Sequence, residues 1–365
     1  MMEWIGFFIL IFTALRLTVV LVNLFTRQWL QPGFTNQKPK VSVLIPARDE
    51  EKNVSQLMDS LTTHDYQNTE ILIYDDNSTD NTWKILKDWE AKYPNIKAVK
   101  GDILPQGWLG KNHACHKLAL QARGDYLLFL DADVDIKVGL MVNAMAHVQK
   151  YNLQLLSLFP TQKMVTFSEK LTVPLMNWIL LSLLPLIFTR ISSHPSLAAA
   201  NGQFMLFDAE TYRKEQFHEK FKNQKVEDII IFRYMKQKGY RVHTLLGNQQ
   251  IYCRMYDSMT ASVQGFSKNV FEFFGGSKLL AFIFGVLTTF GFLAVWIALP
   301  LVYTGIYLIM ILLLRALIAV MSKQNIFTSL VLAPLQQIAF LFILIKATLL
   351  QHKKATLWKG RNIDR

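Results

Sequence analysis

Three strand-like runs in this chain each end in a cluster of acids. KVSVLIPA (40–47) leads into RDEE, and EILIYDDNSTDNT (70–82) gathers its acids after an apolar run. DYLLFLDADVD (125–135) ends in carboxylates at alternate positions, Asp131, Asp133 and Asp135. The segments between them read as helices. RDEEKNVSQLMDSLTTH sets Val54, Leu57, Met58 and Leu61 at helical spacing, and WKILKDWEAKY and KNHACHKLALQA (111–122) are helical too; NIKAVKG (95–101) reads as one more strand. Alternation of this kind predicts an α/β fold, a doubly wound and mostly parallel sheet. Such sheets bind ligands outside the carboxyl ends of their strands, where PARDEE, DDNSTD and DADVD all fall. Neighbouring carboxylates repel, so a fold keeps them together mainly around a cation. A solvated turn would also place acids there. Three polar clusters on one rim favour a divalent metal held by the Asp pair.

The 365 residues are 51% hydrophobic, with 25 Phe and only 18% charged residues, which is apolar for a soluble protein. The net charge of +12 suits a membrane surface or a phosphorylated substrate. No nucleic-acid motif and no long basic run accompanies it, so nucleic acid is not expected as a partner. Two cysteines, Cys115 and Cys253, make no disulfide framework and fit a reducing compartment.

The apolar residues are concentrated at the two ends. Residues 4–25 are long enough to span a bilayer and lack the basic region and cleavage site of a signal peptide. Arg16 in this run should face other helices or a wet cleft. Three further runs follow at 279–299, 301–320 and 327–347. The expected layout is a membrane helix over 1–26, a mixed domain over 38–275, membrane helices over 278–347 and a basic tail over 348–365. Arg27, Lys38, Lys40 and Arg48 place the central domain in the cytoplasm. The tail is basic as well, yet four full spans would put it outside. One C-terminal segment is therefore expected to be re-entrant or interfacial; Pro334, Gln336 and Gln337 mark the last. The stretch 165–190, broken by Pro174 and Pro185, is expected to lie in the interface with Trp178 at headgroup depth. A buried helix pair is the alternative.

VSVLIPARDEE, then DDNSTD, then DAD about fifty residues on, resembles a membrane-bound family 2 glycosyltransferase of GT-A fold. The likeness continues through GWLGK (107–111), ANGQF (200–204), VED (226–228), RMY (254–256) and QGFSKN (264–269), and covers about 40–275. It lies closest to the carotenoid- and hopanoid-associated lipid glycosyltransferases. The Q-x-x-R-W of processive polysaccharide synthases is missing, since QGFSKN stands in its place. The resemblance implies inverting transfer of one hexose from a nucleotide-diphosphate sugar, with a UDP-sugar expected, to a membrane lipid such as a carotenoid, another isoprenoid or a glycerolipid. A processive synthase, a nucleotidyltransferase and a non-catalytic scaffold with a degenerate domain are the alternatives.

The same resemblance distributes roles. Asp131 and Asp133 form a D-x-D motif for Mg²⁺ or Mn²⁺, on alternate residues of one strand face. Asp135 would only solvate the turn. Pro46, Ala47, Arg48 and Glu50 surround the base and ribose, and Asp76 contacts the base. Where the family often has an aromatic-Asn pair this chain has Arg48-Asp49, so the guanidinium would stack instead. Asp49 and Glu51 read as helix N-terminal acids. Lys111, after Gly107 and Gly110 at a helix start, suits a phosphate. Asp228 is the general base, with Glu227 beside it. Gln203 would line the acceptor cleft, and Lys268 would reach the diphosphate. His113, Cys115 and His116 read as structural, lacking a second ligand pair.

Overall fold

The computed structural model describes residues 2–353 together with the short strands Leu357–Trp358 and Arg361–Asn362. From 354 on, the expected basic tail otherwise lies outside the described residues. After helix α1 (Met2–Phe25), strands and helices alternate: β1 (Val41–Ala47), α2 (Val54–Thr62), β2 (Thr69–Asp75), α3 (Thr82–Lys92), β3 (Ile96–Lys100), α4 (Gly110–Gln121) and β4 (Tyr126–Leu130). Then come β5 (Val134–Ile136), α5 (Leu140–Tyr151), β6 (Leu155–Phe159), β7 (Thr161–Gln162), and the short helices α6 (Phe167–Thr172), α7 (Pro174–Leu183) and α8 (Phe188–Ile191). The domain closes with β8 (Phe204–Asp208), α9 (Ala209–Glu215), α10 (Phe217–Lys220), α11 (Glu227–Gln237), β9 (Val242–Leu246), β10 (Ile251–Cys253) and α12 (Met259–Asn269). A 3-10 turn, Val270–Phe274, leads to α13 (Lys278–Ala298), α14 (Leu301–Met321), α15 (Ile326–Val331) and α16 (Ala333–Lys353).

The main sheet has seven strands in the order β3-β2-β1-β4-β8-β6-β9. All neighbouring pairs are parallel except those of β8, which runs antiparallel to both β4 and β6. Period-2 alternation sends successive side chains to opposite faces. Val43, Ile45, Leu128 and Leu130 pack on one side with Leu57 and Met58 of α2 and Met145 of α5. Leu44, Leu127 and Phe129 pack on the other with Leu118 of α4, Tyr212 of α9 and Phe232 of α11. Each such burial contributes about 1.5–3 kcal/mol, and the two layers fix the register that aligns the carboxyl ends of β1, β2 and β4. A smaller sheet, β5-β10-β7, stands beside that edge.

Among the described residues, four helices are long and apolar enough to cross a membrane: α1, α13, α14 and the Ala333–His352 part of α16. Their outward side chains, such as Trp4, Ile11 and Leu301, are apolar and exposed, as lipid contact requires, and they make the chain a membrane protein. Two expectations are corrected here. The last apolar run is a 21-residue helix that starts six residues late, at Ala333. Pro334 sits in its first turn, where the missing N–H costs nothing, and a separate short helix precedes it. The proline therefore does not break this helix.

The second correction concerns Trp178. Pro174 through Ser182 are all buried, and the indole, 4% exposed, lies 5.1 Å from the Phe284 ring and 5.9 Å from the Phe340 ring. Two guanidinium groups flank it, Arg16 at 4.8 Å and Arg315 at 5.3 Å. It is a protein-buried anchor, not a headgroup-level one. Two apolar helix faces meet on it, and burial beside two arginines satisfies its quadrupole better than lipid would. Trp178→Ala should cost about 3 kcal/mol, read as a lower thermal midpoint in detergent. An unchanged midpoint would show that the ring is no packing element.

Candidate active site

The first two βα loops are laced together by reciprocal hydrogen bonds. Arg48 donates to the Asp76 carbonyl at 2.7 Å and the Asn77 carbonyl at 3.3 Å. Asp49, at φ 51°, accepts from the backbone and hydroxyl of Thr79 at 2.7 and 3.1 Å. Glu51 accepts from the backbone N–H and side-chain amide of Asn81, both at 3.1 Å. In return the N–H groups of Asp49, Glu50 and Glu51 donate to Ser78, Thr82 and Asp80. This corrects one expectation. Asp49 and Glu51 do not serve the start of α2, which begins only at Val54 after Asn53; they bind the neighbouring loop. Arg48 has a guanidinium nitrogen engaged with that loop's carbonyls, so it joins the two loops.

These loops wall a cavity of about 120 Å³ lined by Pro46, Ala47, Arg48, Glu50, Asp76, Lys111, Asp131 and Asp133, with Ala114 and Ala132. The sequence-predicted donor residues thus converge on one small pocket at the carboxyl edge of β1, β2 and β4. Asp131 and Asp133 lie in the turn between β4 and β5, not on a strand as expected. Asp135 lies on β5, is 7% exposed, and is held by Lys137 at 2.9 Å and Lys163 at 2.8 Å. Burial alone would raise its carboxyl, but hydrogen bonds from the two ammonium groups outweigh that and hold it below the usual range. It is neither a solvated turn residue nor free to join the Asp pair.

Lys111 sits in the first turn of α4, and its ammonium bridges two clusters. It lies 2.8 Å from Asp131 Oδ1 and 3.4 Å from Glu227 Oε1. Burial would lower the ammonium pKa, yet the two carboxylates raise it well above the usual lysine range. Asp228, at the start of α11, accepts from the Gly202 N–H at 2.8 Å and from the Ile229 N–H at 2.8 Å. Burial raises both Glu227 and Asp228 against the opposing pull of Lys111. Gly202 has a steric reason: a Cβ there would stand 3.0 Å from the Lys111 nitrogen.

On the far side of Lys111 lies a cavity of about 1220 Å³. Lys111, Asp131, Asp133, Gln203, Glu227 and Asp228 form its polar end. Met176, Ile179, Leu180 and Leu183 of α7, with Phe266, Phe273 and Phe274, supply an apolar wall. Lys268 and Arg233 also line it. Gln203 donates to Cys253 Sγ at 2.7 Å. The sequence reading missed this wall because α7 was taken as an interfacial helix; its continuous apolar character was the only signal, and it does not say which face meets a cavity. His113 and His116 pack on Trp108 and Cys115 is buried.

Mg²⁺ and Mn²⁺ prefer oxygen ligands, and Mg²⁺ is commonly held through one or two carboxylates plus substrate phosphates. Asp131 and Asp133 offer that donor set, and among the described residues no group of three His, Cys, Asp or Glu side chains forms a self-sufficient metal cage. The residues fit a metal that arrives with a phosphorylated ligand.

A doubly wound sheet with one reversed strand and acids at its carboxyl edge is the arrangement of a GT-A fold. Residues 42–168 match the family model described as Glycosyl transferase family 2. A mannosyltransferase from Pyrobaculum calidifontis, solved with GDP-Man and Mn²⁺, shares the fold with a TM-score of 0.57 at 16% identity, over 95% of this chain and 99% of that one. Among curated relatives, 4,4'-diaponeurosporenoate glycosyltransferase of Staphylococcus haemolyticus is 26% identical over 65% of this chain and 62% of its own length. The Staphylococcus aureus protein of that name is 24% identical over 80% of this chain and 77% of its length. Beta-monoglucosyldiacylglycerol synthase of Synechocystis is 32% identical over 28% of this chain and 22% of its own.

The Lys111 bridge has a direct test. Lys111→Met strands Asp131 and Glu227 beside each other; because the groups are partly exposed, the expected loss of stability is about 1–3 kcal/mol. Adding Glu227→Gln should recover part of it, since the stranded charge is gone. Strictly additive losses in thermal midpoint would show that the two side chains do not interact.

Proposed function

We propose that the protein transfers a single sugar from a nucleotide-diphosphate sugar to an oxygen atom of a membrane lipid, with inversion at the anomeric carbon. The observation that carries this reading is the junction of two unlike cavities at Lys111, Asp131 and Asp133. One is small and walled by the loops that follow β1 and β2. The other is large, apolar and flanked by the membrane helices, and has Asp228 at its polar end. A polar donor and a greasy acceptor would meet there.

The roles follow from chemistry. Pro46, Ala47, Arg48, Glu50 and Asp76 hold the nucleoside. Asp131 and Asp133 hold Mg²⁺ or Mn²⁺, which when bound neutralises the charge that develops on a departing diphosphate. Lys111 adds a fixed positive charge on the same side. Asp228 takes the proton of an acceptor hydroxyl as the oxygen attacks, and its raised affinity for a proton suits a general base. The Gly202 N–H keeps the carboxylate aimed while it does so. An acceptor carboxylate, already ionised, would need no base.

The names of the relatives favour a lipid-like acceptor, and a UDP-sugar is the expected donor. The catalytic domain lies on the cytoplasmic side, where basic residues flank α1. A processive synthase is less favoured because QGFSKN lacks the Arg-Trp pair, and a non-catalytic scaffold because Asp131, Asp133 and Asp228 are all present and converge.

Membranes containing the protein, given labelled UDP-sugars, should place label in an organic-extractable lipid. Asp133→Ala or EDTA should nearly abolish that signal without changing the thermal midpoint by much. Full activity in EDTA after dialysis would overturn the metal assignment.

Asp228→Asn keeps the shape of the site. With an alcohol acceptor, kcat should fall about 10²–10⁴-fold while donor KM changes little. With a carboxylic acid acceptor the loss should be much smaller, so the same variant reports on the acceptor. An Asn variant with full activity on an alcohol would place the base elsewhere, with Glu227 next to examine.

A further inference from the structure

Two sequence features remain without a role, the RMY segment and the glycine of QGFSKN. Gly265 lies inside α12, where glycine costs about 1 kcal/mol relative to alanine, so a mid-helix glycine needs a reason. Here it is steric. A Cβ on Gly265 would fall 2.0 Å from the Tyr256 hydroxyl oxygen and 2.3 Å from its Cζ. The tyrosine ring therefore lies directly on the bare backbone of α12. Phe266 packs against it at 5.3 Å with the planes at 65°.

The segment carrying Tyr256 is held firmly. Arg254 lies 2.9 Å from Glu169, a fully buried carboxylate that also forms the capping box of α6 with Thr166. On the other side, Cys253 ends β10 and meets Gln203. Tyr256 lines the large cavity together with Asp131, Asp133 and Asp228, and does not line the small donor pocket. Among the described residues, no protein group hydrogen-bonds its hydroxyl. A phenol is protonated near neutral pH, so it can donate a hydrogen bond.

We propose that Tyr256 binds the acceptor: its hydroxyl donates a hydrogen bond to the oxygen of the lipid's hydroxyl or carboxyl head, and Gly265 is the cradle that lets the ring lie there. The role rests on lipid glycosylation being the reaction. It assigns the chemical class of the occupant, a long apolar chain with one oxygen function at its end, the chain along α7 and the oxygen toward Asp228. The hydrogen bond fixes the acceptor oxygen without consuming either carboxylate.

The test uses the full-length protein in lipid nanodiscs and reads binding as well as turnover. The isoprenoid alcohol farnesol is the probe, its hydrocarbon counterpart farnesane the control, and UDP reports the donor pocket. Tyr256→Phe should weaken farnesol binding roughly 3- to 10-fold, the effect of one lost hydrogen bond, and leave farnesane and UDP unchanged. In turnover the same variant should raise acceptor KM by a similar factor and leave donor KM alone. Gly265→Ala should weaken farnesol more than Tyr256→Phe does, because it displaces the whole ring. In a Tyr256→Ala background the same alanine has room and should add no further loss. Unchanged farnesol binding in Tyr256→Phe would overturn the proposal, as would a Gly265→Ala effect of equal size with and without the tyrosine. Farnesol binding that responds as expected, with no labelled glycolipid formed by the wild-type protein, would leave the binding role standing and defeat the transferase reading instead.

Discussion

One ammonium group lets the rest of the site exist. Asp131, Asp133, Glu227 and Asp228 all line one cavity, and like charges at that spacing would drive one another toward protonation or apart. Lys111 lies between the two pairs, 2.8 Å from Asp131 and 3.4 Å from Glu227. It can do so because α4 begins there and because Gly202 has no side chain in the way. The lysine thereby couples the donor loops to the start of α11. The carboxylate proposed to take a proton and the pair proposed to hold a cation can then share one cleft in opposite states.

A second set of polar contacts ties this chemistry to the membrane helices. Arg16 of α1 donates to Ser182 at 3.0 Å. Asn23 donates to the Leu181 and Leu184 carbonyls and accepts from the Leu186 N–H. Arg315 of α14 donates to Gln336 at 2.5 Å, and Gln336 donates to the Lys170 carbonyl at 2.9 Å. Polar groups surrounded by apolar helices are costly unless partnered, so together these contacts select one position of α6 and α7 against the bundle. The opposite face of α7 is the apolar wall of the large cavity. Polar residues in the membrane helices thus fix the shape of a greasy cleft that none of them lines.

The sheet and the small pocket at its edge were legible in the sequence because both are local. A strand followed by its loop is a contiguous string, and Pro46, Ala47, Arg48, Glu50, Asp76, Asp131 and Asp133 each sit at the end of such a string. Lys111 was legible for a similar reason, as a glycine turn opening a helix. What the loops do to one another was not. Asp49 and Glu51 look like helix acids in one dimension, and only the parallel pairing of β1 with β2 brings Thr79 and Asn81 within their reach. Trp178 misled for the opposite reason. Its segment has the composition of an interfacial helix, and composition does not reveal that two arginines far apart in the chain will sandwich its ring. Asp135 falls between these cases: the D-x-D-x-D spacing is visible, but the approach of Lys163 from the end of β7 is not.

The reversed strand explains why the large cavity was harder to read than the small pocket. In a purely parallel sheet, every loop at the carboxyl edge follows its strand. Here β8 runs antiparallel between β4 and β6, so the residues that precede it, Asn201 to Gln203, are delivered to that edge. The Asp131 N–H meets the Gln203 carbonyl at 3.4 Å, and the Gly202 N–H reaches Asp228. One change of direction therefore joins the end of β4 to the start of α11, nearly a hundred residues later in the chain. It also interrupts the regular supply of βα loops, which leaves the edge beyond β4 open. That opening is where α7 and α12 close in with apolar side chains. A sheet that remained parallel would place another βα loop at that edge, and the apolar wall would have no opening to face.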